Sequence, residues 1–132
     1  MMIRLLLLCI TLVVVSGHVS AQSRSMSWLK GTWTGTGYQI DNDETWTMRL
    51  RVAGNKYSVE YPSLNCGGVW KLISIGRYSA TFRERITHNK VDCTDRGRVT
   101  IERLNRTQID FRYRNPGASE FIASGILKRQ RR

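Results

Sequence analysis

Beyond Ala21 the chain never sustains the three–four spacing of apolar side chains that a packed helix needs. Apolar and polar residues instead alternate in short runs broken by turn residues, the pattern of half-buried antiparallel strands. Eight such runs are expected, at about 31–39, 44–53, 56–62, 68–75, 78–87, 97–104, 107–114 and 120–128, after a single turn around Ser25 to Leu29. No repeat, linker or second domain interrupts them. Eight sequentially paired strands in so short a chain imply an all-β fold, an eight-stranded antiparallel up-and-down barrel, which also removes sheet edges. A two-sheet β-sandwich is the alternative.

The hairpins test this reading through their register. Gly54-Asn55 as a two-residue turn pairs Val52 with Tyr57, Leu50 with Val59 and Met48 with Tyr61, all apolar on one face. Gly76-Arg77, with Gly first as a type II′ turn prefers, pairs Ile75 with Tyr78, Ile73 with Ala80 and Lys71 with Phe82. A loop at Asn105 to Thr107 matches Val99 and Ile101 with Ile109, Phe111 and Tyr113. Slipping any pair by one residue would turn its apolar set to water. The expected interior is Trp46, Met48, Leu50, Val52, Tyr57, Val59, Tyr61, Ile73, Tyr78, Phe82, Ile86, Phe111, Tyr113 and Phe121. A barrel of eight strands fills itself or holds one small ligand. This many rings imply a filled interior, or a shallow pocket at one mouth.

The first residues read as a secretory signal over 1–21: Arg4, an apolar core from Leu5 to Val15, and the small-residue pattern Val19-Ser20-Ala21. The apolar run falls short of the roughly 20 residues that span a bilayer, so no transmembrane anchor is expected. Cleavage leaves about 110 residues, one domain (22–128) with a basic tail at 129–132. Cys9 would leave with the signal. Cys66 and Cys93 remain, and in an exported chain they should form one bridge, contributing about 3–4 kcal/mol by loop closure. The expected location is bacterial, periplasmic or extracellular. The chain carries 21 Lys and Arg against 10 Asp and Glu, net +11. Such a surface attracts anionic glycans, envelope surfaces and acidic proteins. Export places nucleic acid last among these.

Two stretches carry a resemblance. LKGTWTGTG, Leu29 to Gly37, resembles the G-x-W first strand of lipocalin- and avidin-like barrels. YSVEYPSLNCGGVWKL (Tyr57 to Leu72) and ATFRERITHNKVDC (Ala80 to Cys93) together resemble a small bacterial domain found in secreted proteins and appended to serine/threonine kinases. Its pattern, YPSL-x-CGG, then F-x-E-x-I and a second Cys, is matched at Tyr61 to Gly68, Phe82, Glu84, Ile86 and Cys93. The resemblance implies the barrel and the disulfide; it implies no particular activity and no catalytic residue.

Candidate site residues fall into three groups. Glu84 shares the inward face of its strand with Phe82 and Ile86, and Lys71 lies diagonally across from it. A buried carboxylate requires a partner, so a Glu84–Lys71 pair is expected, with Tyr61 close by. Arg83, Arg85, Arg98, Arg112 and Arg114 face outward on adjacent strands as an anion-binding wall, repeated by Arg49 and Arg51, with Glu102 and Asp110 neutralising part of it. Guanidinium forks suit carboxylate, sulfate and phosphate. Trp70 and Leu72 point outward in this register and form a candidate protein interface. His88, in a polar loop with Asp92 and Asp95, is read as solvated; no metal site, cofactor or catalytic constellation is expected. The function that follows is a non-enzymatic exported module binding an anionic partner. The alternatives are a lipocalin-like carrier of a small ligand at the barrel mouth, and a secreted inhibitor of an acidic enzyme.

Overall fold

A computed structural model describes residues 25–132; the signal expected over 1–21 lies outside the described residues. A 3-10 turn at Ser27–Leu29 leads into β1 (Gly31–Gln39), β2 (Thr45–Ala53), β3 (Lys56–Tyr61), β4 (Cys66–Ile75), β5 (Ser79–His88), β6 (Arg98–Arg103), β7 (Gln108–Arg114) and β8 (Ala123–Arg129). Each strand pairs antiparallel with the next, and β8 pairs with β1, so the sheet closes. Closure decides for the up-and-down barrel against the sandwich. Two registers follow the alternation as expected: Val52 faces Tyr57 and Leu50 faces Val59, while Val99 faces Tyr113 and Ile101 faces Phe111.

The β4–β5 hairpin differs. Ile75 pairs with Ala80, residues 76–78 form the connection instead of Gly76-Arg77 alone, and the ladder shifts again between Leu72 and Ser74. Lys71 therefore faces Arg83, and Trp70 faces Glu84. One residue of slip exchanges the faces of a strand. Trp70 is buried at 2% exposure, Ile73 and Tyr78 are exposed at 47% and 46%, and Leu72 is 39% exposed. The expected outward Trp70–Leu72 pair is thus split, and Trp70 belongs to the core. Phe121 also lies outside, capped by the guanidiniums of Arg112 and Arg114 at 5.7 and 5.4 Å.

The interior is filled from the lower end upward. Trp33 of the G-x-W stretch is fully buried, its Nε1 donating to the Leu29 carbonyl at 2.8 Å. The Arg129 guanidinium stacks 4.2 Å from the Trp33 ring and donates to the carbonyls of Lys30, Trp28 and Arg106. Arg129 is therefore the last residue of β8 and a staple, and Gln130 after it still donates its amide to the Thr32 carbonyl at 2.7 Å. Above this plug, Tyr57, Phe82, Trp70 and Phe111 form a chain of ring contacts at 4.9, 5.5 and 6.0 Å. Cys66 at the start of β4 is bridged to Cys93 in the β5–β6 connection, with Cα atoms 6.4 Å apart.

Arg129→Ala should lower unfolding stability by about 2–3 kcal/mol in urea denaturation, since it strips three charge-assisted hydrogen bonds from backbone carbonyls and uncovers the Trp33 ring. Arg131→Ala, in the exposed tail, should stay within about 0.5 kcal/mol of wild type.

Candidate functional site

The lower end is plugged by Leu29, Trp33 and Arg129, so any site inside the barrel has to open at the other end, where the β1–β2, β3–β4, β5–β6 and β7–β8 connections meet. A cavity of about 160 Å³ lies there. Its walls carry the rings of Trp46, Tyr61, Phe111 and Tyr113, and its acids are Glu84 and Asp92; among the described residues no Lys, Arg or His lines it. Two glycines seat these rings. A side chain at Gly37 would collide with the Trp46 indole, and one at Gly97 with the Tyr113 phenol. The bridge from Cys66 at the start of β4 to Cys93 brings the β5–β6 connection over the rim, and Asp95 fixes it by accepting from the Ile86 and Arg96 amides at 2.9 Å each.

Glu84 is 3% exposed and is the buried charged side chain of the described core. Its partner is not the expected Lys71, which the shifted register turns outward. Tyr61 Oη and Trp70 Nε1 both donate to Glu84 Oε2, the latter at 2.8 Å. Among the described residues Oε1 accepts no hydrogen bond, and Glu84 lines the cavity. Burial raises the Glu84 carboxyl to about 6, against the opposing pull of the Tyr61 and Trp70 donors and with a smaller upward push from Asp95. Burial and then Glu84 raise the Tyr61 hydroxyl well above its ordinary value, and the same two causes raise Tyr113. Both tyrosines are neutral donors at physiological pH.

The outer face carries the second group. Arg83 faces Arg98, and Arg98 faces Arg114. Lys71, displaced outward by the bulge, faces Arg83 and extends the row across β4 to β7. Among the described residues none of Lys71, Arg83, Arg85, Arg98 and Arg114 forms an ion pair; Arg112 is paired with Asp110 at 2.8 Å, and Glu102 lies opposite Asp110. Arg114 Nε is buried and has no acceptor among the described residues. Arg49 and Arg51 are exposed on β2 as expected. His88 ends β5 and its Nε2 lies 3.2 Å from Glu60, not beside Asp92 or Asp95.

No family model and no curated protein matches the chain. Two solved structures share the fold. A redesigned β-barrel, b11L5F_LGL, superposes with a TM-score of 0.57 at 19% identity, over 85% of this chain and 100% of that one. EF1p2_mFAP2b bound to DFHBI superposes with a TM-score of 0.56 at 16% identity, over 81% and 98%. At these identities the likeness is one of architecture.

The Glu84 environment makes a pH prediction. Its folded value of about 6 exceeds the ordinary 4.5, so the folded state holds the proton more tightly than the unfolded chain. The stabilisation is complete below pH 4.5 and is lost as pH rises through 6. Glu84→Gln keeps an acceptor for Tyr61 and Trp70 without the charge. Between pH 4 and 7.5 wild type should lose about 2 kcal/mol relative to this variant, read from paired denaturation curves. A constant difference across that range would place Glu84 in water.

Proposed function

We propose that this protein is an exported, non-enzymatic binding module that takes an anionic partner on its basic outer face: a glycan, an envelope surface or an acidic protein. The observation that carries this reading is the register-aligned row Lys71–Arg83–Arg98–Arg114. Neighbouring strands lie about 4.8 Å apart, and like charges directly opposite one another destabilise a sheet. An anionic chain laid along the row removes that repulsion and offers acceptors to the guanidinium forks.

A second reading, carriage of a small ligand at the barrel mouth, is favoured by the cavity and by the carboxylate oxygen left open toward it. The two sites lie on different surfaces and do not compete.

Heparin serves as the probe for the outer face. Neutralising Lys71, Arg83, Arg98 and Arg114 to Gln should move elution from a heparin column to much lower salt than neutralising Lys56, Lys90, Arg131 and Arg132. Both variants lose the same formal charge, and exposed charge contacts weaken with salt in each. Equal shifts would show diffuse charge and overturn the organised site.

A further inference from the structure

We infer that the mouth cavity is a site for a small organic cation, a primary ammonium or amidinium carried on a compact aromatic or aliphatic body, with Glu84 as its counter-ion. The inference rests on the mouth-carrier reading and names the ligand class that reading leaves open. In a chain of net +11, this cavity is lined, among the described residues, by acids and by no base. The face of an aromatic ring is electron-rich and attracts a cation, and Trp46, Tyr61, Phe111 and Tyr113 supply rings to the walls. The floor supplies a full acceptor: Oε2 of Glu84 is occupied by Tyr61 and Trp70, which fix the carboxyl in place, and Oε1 is open.

Size sets the body of the ligand. An apolar cavity of about 150 Å³ accommodates benzene, and this one is about 160 Å³ with an open mouth. A single ring with a one-carbon ammonium arm is a body of that size. The net positive charge of the protein opposes entry of a cation only weakly, because exposed charges are screened beyond about 8 Å at physiological salt. A buried carboxylate in direct contact is screened far less. An anionic ligand meets the reverse arrangement, with Glu84 and Asp92 both repelling it.

The groups facing Glu84 permit a pH test. Tyr61 on β3, Trp70 on β4 and Tyr113 on β7 are uncharged, and Asp95 in the β5–β6 connection is held below its ordinary carboxylate value, chiefly by the hydrogen bond from the Ile86 amide. Asp92 lines the same cavity. Ionisation of Glu84 through about pH 6 then supplies the counter-charge.

The experiment compares benzylammonium, benzyl alcohol and benzoate, matched in shape, by tryptophan fluorescence and by chemical-shift titration of the intact protein. Benzylammonium should bind at least tenfold tighter than benzyl alcohol, and benzoate weakest. Raising the pH from 5 to 7.5 should strengthen ammonium binding about tenfold and leave the alcohol unchanged, a wild-type measurement that depends on no variant. Glu84→Gln should reduce ammonium affinity to about that of the alcohol and abolish its rise with pH. Equal affinities for the three probes, a flat pH profile for benzylammonium, or full ammonium binding by Glu84→Gln would each overturn the cation assignment while leaving a neutral-ligand carrier intact. Saturation by no probe at millimolar concentration would overturn both the assignment and the carrier reading. Asp92→Asn separates the two acids: it should weaken benzylammonium binding less than Glu84→Gln, and the reverse order would move the counter-ion to the rim and overturn the role of Glu84.

Discussion

Everything in this molecule depends on the pairing of β8 with β1. An open sheet would expose two rows of unpaired amides and carbonyls, and the described residues hold no α-helix to cover them. The closing contact is locked at its lower end by Arg129, whose guanidinium lies on Trp33 and caps the carbonyls of Trp28, Lys30 and Arg106. That arrangement joins the last strand to the entry turn and to the β6–β7 loop, and it makes one end of the barrel solid. The consequence reaches the far end: with the bottom filled by Trp33 and the middle by Phe82, Trp70 and Phe111, free interior volume is confined to the mouth.

How much of this was legible in the sequence depends on how each strand is tied to its neighbour. The β2–β3 and β6–β7 hairpins have apolar residues at every second position on both strands, so only one register keeps them all inside. The β4–β5 hairpin carries CGGVWKLISI, where Trp70, Leu72, Ile73 and Ile75 give apolar candidates for both faces. Alternation alone cannot choose there, and a two-residue turn at Gly76-Arg77 selected the wrong set. The bulge at Leu72–Ser74 and the longer connection turn Trp70 inward and leave Leu72 and Ile73 exposed. A physical clue was present: an inward Glu84 needs donors, and an indole on the neighbouring strand supplies one at lower desolvation cost than an ammonium. Arg129 was misread for a related reason. A terminal run of basic residues looks solvated until the Trp that one of them covers is placed.

The same shift that removed Lys71 from the interior lengthened the cation row outside. The face that gains a base and the face that loses one are the two sides of a single strand, so the segregation of charge in this protein is a property of register. Inside, Glu84 is held by neutral donors and has no cation to neutralise it; outside, Lys71, Arg83, Arg98 and Arg114 stand in line without ion-pair partners among the described residues. Had Lys71 entered the barrel, it would have quenched the carboxylate and broken the row at once.

Unpaired charge of this kind is expensive on both sides of the wall. The buried carboxylate holds its proton up to about pH 6, which is the signature of a group not stabilised in its charged form by its surroundings. The outer cations repel one another across the ladder. A sequence selected for stability alone has simple remedies: Gln at position 84, which preserves both hydrogen bonds, and Glu in place of any one of the row, which would pair with its neighbours. Neither substitution disturbs the hydrophobic pattern that specifies the fold. The barrel therefore tolerates two uncompensated charge arrangements that its own folding does not require, and each has the polarity of a binding site awaiting the opposite charge.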